Sequence, residues 1–540
     1  MLAVGEPRTL SMRARDGCRL DATVWRPDAP GRYPVLLMRQ PYGRRIASTL
    51  VYAHPSWYAA HGYVVAVQDV RGTGTSEGEF RLFLDEETDG AEAIAWAADL
   101  PGASGAVGMY GFSYQANTQY LALAGGGALR AAAPAMGGWD MRTDWAWENR
   151  AFRLGPNLGW GLQMGFVNAA HAGDNAAAHA LRVAAQSPPL HEPHRTRPEV
   201  IRRYGVWTHY EGWLAHPEPG EFWDAFAPRA RLAAHALDVP MLHVGGWYDQ
   251  MLMGTLDAHD AITRRSPAEQ ALHVGPWTHQ PWGRRVGAMD FGPAAASPID
   301  AVQLAWFDRH LKGRDGGVLH GLRLFDLGTR DWRQFAAWPE MQEERWFLSG
   351  DGRAAAASSG RLQQAGGPAG VDYFVHDPWR PAPVMGGHGS APAGMQDRSA
   401  LDDRADVAVY TSAPLDKPLF LCGRVAASLA LEADQPSFDI DAVLSMVTSD
   451  GRAWTLTQGH ARIDDPGPRC DLPMRAVCVS IPAGYALRLS LAAACTPSYA
   501  VNPGNGAAAA DFLAADERAI TIAVRHGAGT LSAIVLPVVP

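Results

Sequence analysis

Three residues in this chain could together move a proton and form a covalent bond: Ser113, Asp249 and His279. A serine nucleophile needs a base to take its proton, and the base needs a carboxylate to orient it. Ser113 lies in Gly108-Met109-Tyr110-Gly111-Phe112-Ser113-Tyr114-Gln115-Ala116-Asn117. There a short apolar run ends at a glycine and a helix-compatible stretch follows the serine. That layout is a sharp strand-to-helix turn that lifts a hydroxyl clear of a sheet edge. Gly111 supplies the small neighbour such a turn requires. Asp249 follows the apolar run Met241–Gly246 within Trp247-Tyr248-Asp249-Gln250, and His279 follows Ala271–Gly275 within Pro276-Trp277-Thr278-His279. Both sit just past the end of an expected strand, in the chain order Ser, Asp, His.

Other readings of these residues exist. Asp after a strand commonly serves as a turn or cap residue. Asp257 and Asp260 are rival carboxylates, but they fall inside the helix expected across Gly254–Arg265. His273 lies within a strand and His310 on a helix, which sets both apart from a loop at the sheet edge. A tetrahedral intermediate also needs an oxyanion hole. The Tyr114 backbone N–H, following the nucleophile, is one donor. The loop Arg39-Gln40-Pro41-Tyr42-Gly43-Arg44 lacks the glycine-rich run that often provides the second. The Tyr42 phenol could donate there; on the residues alone, a turn aromatic is the stronger reading.

The elements that must hold these residues follow from periodicity. Pro34–Met38 and Val64–Gln68 read as buried strands, Leu84–Leu100 as an amphipathic helix ending at Pro101-Gly102, and Ala106–Tyr110 as the next strand. This alternation predicts a mostly parallel sheet covered on both faces. Residues 139–237, rich in Trp, His, Pro and Ala with no strand-like run, predict a helical insertion. The sheet resumes at Val239–Val244 and Ala271–Val274, and Pro298–Leu311 is a further helix. After Trp346 the runs Val407–Tyr410, Val425–Leu431, Ile440–Val447 and Ile520–Val524 alternate with turn residues, predicting an antiparallel sandwich or jelly roll. Gly350–Gly370 reads as a loop. The resulting division is 1–138 and 238–345 for an α/β core, 139–237 for a helical insertion and 346–540 for a C-terminal β domain.

Composition narrows the partners. The chain has 540 residues, too many for one core. A net charge of −9 gives no basic field for nucleic acid or anionic lipid. No apolar run approaches a membrane span and no secretory leader is evident at Met1–Pro7, so a cytoplasmic location is expected. The five cysteines, Cys18, Cys422, Cys470, Cys478 and Cys495, show no metal-ligand spacing and read as free thiols. The expected partner is a small-molecule ester or amide, with no metal or organic cofactor; a homo-oligomer is left open.

Five ordered segments carry a wider resemblance. They are Met38–Tyr42, Gln68-Asp69-Val70-Arg71-Gly72-Thr73-Gly74-Thr75-Ser76-Glu77-Gly78, Gly111–Tyr114, Gly246–Asp249 and Gly275–His279. Asp331-Trp332-Arg333, Trp346–Gly350, Asp377-Pro378, Gly386-Gly387 and Tyr410-Thr411-Ser412 extend it over nearly the whole chain. The sequence resembles the cocaine esterase/X-prolyl dipeptidyl peptidase (CocE/NonD, S15-type) hydrolases. The resemblance implies a Ser113–His279–Asp249 triad, an oxyanion hole of the Tyr42 hydroxyl and the Tyr114 N–H, an α/β-hydrolase core interrupted by 139–237 as a helical cap, and a galactose-binding-like jelly roll at the C-terminus. The family usually has glycine where this chain has Ala116, one methyl beside the elbow. The activity implied is hydrolysis of an ester or amide through an acyl-enzyme.

Alternatives within the family are an α-amino-acid ester hydrolase or acyltransferase and an X-Pro dipeptidyl-peptidase-type amidase. The last is expected to carry an extra N-terminal domain, whereas this chain reaches its third strand by Pro34. An α-amino substrate needs carboxylates for its ammonium; Asp140, Asp144 and Glu148, four apart, suggest a helix face. That face reads more readily as solvated and paired with Arg142 and Arg150. Trp139, Trp145, Trp147 and Trp160 suit a hydrophobic acyl group, although tryptophans also pack cores.

Overall fold

A computed structural model describes residues 1–45, 49–314, 320–389, 392–464, 467, 469–527 and 532–540. Short runs of β-branched and aliphatic residues, buried on both faces, form the centre of a ten-stranded sheet. In spatial order its strands are Arg8–Arg13, Arg19–Trp25, Val64–Asp69, Tyr33–Gln40, Ala103–Phe112, Ala131–Ala135, Met241–Tyr248, Gln270–Thr278, Gly321–Asp326 and Asp331–Phe335. The pairings from Val64–Asp69 through Gly321–Asp326 are parallel, and antiparallel strands finish both edges. Parallel neighbours need crossovers. Helices Glu86–Ala98, Tyr114–Ala124, Leu252–Thr263 and Ile299–Lys312 supply them or cover the faces. This is the α/β-hydrolase architecture.

Strand Ala131–Ala135, sequence AAAPA, escaped the periodicity reading because it has no β-branched residue. It becomes a strand because it is walled between Ala103–Phe112 and Met241–Tyr248. The parallel register brings the carboxyl ends of the strands ending at Gln40, Phe112, Tyr248 and Thr278 to one edge. All the candidate site residues lie within two residues past those ends.

Between Ala135 and Met241 the chain forms the cap. Helices Leu154–His171 and Asn175–Gln186 dominate it, followed by shorter helical turns. One expectation fails in this region. Asp140, Asp144 and Glu148 do not share a solvated helix face: a π-helical turn spans Arg142–Ala146, and Glu148 lies in a two-residue strand, Trp147–Glu148, paired with Ala151–Phe152. Asp144 and Glu148 are buried, and their partners are not Arg142 and Arg150. Desolvated carboxylates need donors, and here these come from elsewhere in the fold.

The strands from Gln342–Ser349 to Ala533–Val538 build an eleven-stranded, almost wholly antiparallel second sheet system, as a jelly-roll domain requires. Part of the expected loop Gly350–Gly370 is ordered as the strand Gly360–Gln363. The two halves share one continuous apolar core: Trp247, Leu252 and Phe325 pack in the same cluster as Leu421, Val479 and Leu489. Among the described residues, no helix is long and apolar enough to cross a membrane.

Candidate active site

Ser113 ends strand Ala103–Phe112 and caps helix Tyr114–Ala124 with φ 62° and ψ −127°. A non-glycine residue in that region costs on the order of 1–3 kcal/mol and persists only where its surroundings impose it. They do so here. The Ser113 N–H donates to Ala135 O at 2.9 Å, and Gln115 Oε1 accepts from Phe112 N at 3.1 Å. Gly111 has φ 142°, and a Cβ there would stand 2.5 Å from Gln115 Cβ, so the glycine is required. Ala116 is fully buried beside Gly137, where a Cβ would lie 2.7 Å from the Ala116 methyl. Glycine at 137 therefore makes the room that alanine at 116 uses.

Asp249 follows strand Met241–Tyr248 and His279 follows its parallel neighbour Gln270–Thr278. Gly246 lets the two strands approach: a Cβ there would be 2.3 Å from Trp277 O. The His279 Nδ1–H donates to Asp249 Oδ1 at 2.7 Å, with the carboxylate fully buried and the imidazole about a quarter exposed. A carboxylate can only accept, so this bond fixes the proton on Nδ1 and leaves the Nε2 lone pair free. The imidazole packs on Phe112, the residue before Ser113, with ring centroids 5.5 Å apart.

The Tyr42 side chain is partly buried, and the Ser113 hydroxyl and the Trp160 indole nitrogen are its polar neighbours. Desolvation pushes its pKa up to about 12 against the opposing pull of these two neighbours, so the phenol stays protonated at working pH. Its loop is pinned on both sides. Gln40 Oε1 accepts the Tyr42 N–H at 2.9 Å, and the buried Asp69 carboxylate holds Gln40 Nε2, Arg44 N and the Arg44 guanidinium. Gly74 is needed for this turn, because a Cβ there would fall 2.0 Å from Asp69 Oδ2. Tyr114, whose N–H opens the helix, is anchored by its own phenol. That hydroxyl donates to Glu86 Oε1 at 2.9 Å and accepts from Phe83 N at 3.2 Å, while Arg39 pairs with Glu86. The first N–H groups of a helix have no intrahelical acceptor and are free to face an anion.

The rival residues are engaged elsewhere. Asp257 pairs with Arg424 at 2.6 Å, and Asp260 meets His259 and the Trp338 indole. His273 is buried in its strand against Trp332, and His310 lies tilted against Trp306. Asp140 binds Arg229, Asp144 accepts from the Trp139 and Asp140 N–H groups, and Glu148 is ringed by Arg153 and Arg475. Burial raises Asp144 to about 7. Of the tryptophans, Trp145 stacks on Trp160 at 4.8 Å beside Tyr42, whereas Trp139 packs against Tyr120 and Trp147 bonds Trp213 O.

The sequence alone gives no role to Gln40, Arg44, Asp69, Glu86, Arg153 or Arg475. The glycines of Gln68–Gly78 were a signal for a tight turn around Asp69; Arg475 had none. A cavity of ≈620 Å³ opens between residues 72–84 and the cap helices, walled by Phe80, Leu82, Trp213, Phe222 and Phe226.

A strained serine at a strand-to-helix turn and an Asp–His pair on the following strand ends define a hydrolase of the α/β-hydrolase class. Residues 16–281 match the X-Pro dipeptidyl-peptidase (S15 family) model, and residues 318–528 match the X-Pro dipeptidyl-peptidase C-terminal non-catalytic domain. The cocaine esterase of Rhodococcus sp. (strain MB1 Bresler) is 32% identical over 483 residues, covering 83% of this chain and 81% of that protein. Among solved structures, an α-amino acid ester hydrolase superposes with TM-score 0.81 at 21% identity, over 99% of this chain and 96% of the other. A CocE/NonD family hydrolase from Staphylococcus aureus gives TM-score 0.70 at 15% identity, over 99% and 94%. The chain belongs to the S15-type, CocE/NonD family of serine hydrolases.

Proposed function

We propose that this protein is a carboxylic-ester hydrolase that works through an acyl-enzyme on Ser113. The observation that carries the reading is the 2.7 Å bond between His279 Nδ1 and Asp249 Oδ1 at the ends of adjacent strands, with the imidazole against Phe112. His279 Nε2 takes the Ser113 proton as Oγ attacks the carbonyl. The Tyr42 hydroxyl and the Tyr114 N–H receive the developing oxyanion. The imidazolium, steadied by Asp249, protonates the leaving group, and the neutral imidazole so regenerated takes a proton from the water that releases the acid.

An uncharged, apolar acyl group suits the surroundings: Trp145, Trp160 and Phe83 gather beside Tyr42 and Tyr114. An α-amino-acid ester is disfavoured on the residues first considered for it, since Asp140, Asp144 and Glu148 all have partners within the protein. The site is proposed to act on a small molecule.

A fluorophosphonate probe tests the reading. It should label Ser113, and Ser113→Ala should lose labelling and turnover while keeping the wild-type thermal midpoint. Labelling that survives in Ser113→Ala, or maps to another serine, overturns it. A screen of aryl, alkyl and α-amino-acyl esters and amides, with the liberated acid quantified, separates ester hydrolysis from amide cleavage and acyl transfer.

A further inference from the structure

Directly behind Asp249 lies a buried ionic cluster that the proposed reaction does not use. Glu148 comes from the cap hairpin, Arg153 from the residue preceding helix Leu154–His171, and Arg475, His388 and Tyr499 from the C-terminal half. Glu148 Oε2 accepts from Arg153 Nη2 at 2.5 Å, Arg475 Nη2 at 3.0 Å and the Tyr499 hydroxyl at 2.7 Å, and His388 Nε2 stands 3.3 Å away. The other arm of each guanidinium reaches backbone. Arg475 Nη1 donates to Asp249 O at 3.2 Å and to Gln250 O at 3.1 Å. Arg153 Nη1 donates to Gln250 O at 3.2 Å and to Asp144 O at 2.7 Å. The C-terminal half adds a second hold just upstream, where the Tyr248 hydroxyl donates to Thr455 O at 2.8 Å.

We infer that Glu148, Arg153 and Arg475 form a clamp that positions Asp249 and compensates its charge, so that the C-terminal domain tunes the Asp249–His279 pair. The inference rests on Asp249 being the triad acid. Two guanidiniums face one Glu148 carboxylate, and His388 is uncharged, burial pushing it down to about 4. The cluster therefore holds one surplus positive charge next to the backbone of Asp249. That carboxylate is fully buried, and among the described residues its Oδ2 has no hydrogen-bond partner. A surplus cation nearby offsets such a charge. Among the described residues, the other charged or titratable groups facing the cluster are His279 beyond Asp249, Asp144 below Arg153, the Cys495 thiol beside Tyr499, and His460 with Asp439 and Asp441 behind the Tyr499 ring. Buried ion clusters contribute little net stability compared with apolar packing. Positioning is therefore the stronger reason for this one, because catalytic groups held about 1 Å off can lose roughly 10²-fold in rate.

Arg475→Gln keeps a polar side chain but removes the charge and one forked donor set. In wild type, fluorophosphonate titration first counts live Ser113. In Arg475→Gln, kcat should then fall roughly tenfold or more with KM within about twofold. The acid limb of kcat/KM should move upward by roughly half a pH unit or more, because removing a cation favours the His279 imidazolium. The low-field proton resonance of the His279 Nδ1–H bond should shift with it. Arg475→Lys should return the acid limb toward wild type while recovering only part of kcat, since lysine restores charge but not the fork. Tyr499→Phe, which deletes a single donor to Glu148, should move all three readouts the same way by less, and serves if the glutamine variant does not fold. A folded Arg475→Gln protein with wild-type kcat, acid limb and proton resonance, and only a lower thermal midpoint, overturns the clamp. The same outcome in Tyr499→Phe, when it alone folds, also overturns it. Wild type that is not labelled on Ser113 removes the triad reading and the clamp together; labelled wild type with silent variants removes the clamp alone.

Discussion

Replacing Tyr42 by phenylalanine keeps the ring between Trp160 and Ser113 and deletes one hydrogen-bond donor. With its pKa pushed up to about 12, the phenol remains protonated across any practical assay range, so the donor is present in every turnover of the wild type. The neighbouring Ser113 hydroxyl is the reacting group and so does not replace the lost donor. One deleted oxyanion donor costs roughly 10²–10³ in kcat, or about 3–4 kcal/mol, with KM changing far less since the ground-state carbonyl needs the donor less. Folding loses at most one net hydrogen bond, about 1 kcal/mol, which for a chain of this size is a midpoint shift of at most about 2–4 °C. The loop itself should stay in place, since Gln40, Arg44 and Asp69 hold its backbone independently of the hydroxyl. The assay is steady-state hydrolysis of an activated and an unactivated ester, with kcat and KM resolved and a melt recorded alongside. Near-normal kcat in folded Tyr42→Phe refutes the phenol as donor and returns Tyr42 to the turn aromatic that the sequence alone favoured.

His279→Ala and Asp249→Ala should each remove most activity, yet the double variant should be little worse than His279→Ala, because the groups act as a unit; additive losses would refute a shared triad. Gly246→Ala should abolish activity and lower the midpoint by several degrees, since its methyl would meet Trp277 O between the strands that carry Asp249 and His279; a soluble, active variant would contradict that close approach. Burial opposes the charge on His460, but hydrogen bonds to Asp439 and Asp441 outweigh it and push its pKa up to about 9 from the ordinary 6.5. Stability from this group is then fully present below about pH 6.5 and lost as pH rises through about 9, roughly 3 kcal/mol in all. Melts of wild type and His460→Gln across pH 6–10 should converge toward the alkaline end; a gap independent of pH would show that the imidazolium is not the source. Burial lowers His209, His243 and His273 to about 3, so they stay neutral in the fold. Unfolding at pH 5 should take up protons at these sites, measurable as a midpoint that falls from about pH 6.5 downward.

Much of this molecule is legible in its sequence. Strands such as Tyr33–Gln40, Val64–Asp69, Met241–Tyr248 and Gln270–Thr278 are written locally, as apolar runs bounded by glycine, proline and turn residues. Because crossover connections make such strands run parallel, residues just past their ends must gather at one edge. The placement of Ser113, Tyr42, Asp249 and His279 follows from local pattern plus that rule. The glycines at 74, 111 and 246 were equally readable as places where backbone must pass close to something.

What could not be read is whatever depends on a partner far away in the chain. Asp140, Asp144 and Glu148 have helical spacing, but spacing says nothing about which side of a segment faces the interior. Burial of Glu148 was decided by cations 5 and 327 residues away, Arg153 and Arg475, and by Tyr499 351 residues away. Strand Ala131–Ala135 likewise owes its conformation to neighbours on both sides rather than to its own residues. Local sequence carries the torsional preferences and the periodicity that build elements. The desolvation of a charge is settled only when remote segments close around it, and so the tertiary structure alone determined which arginines stand behind Asp249.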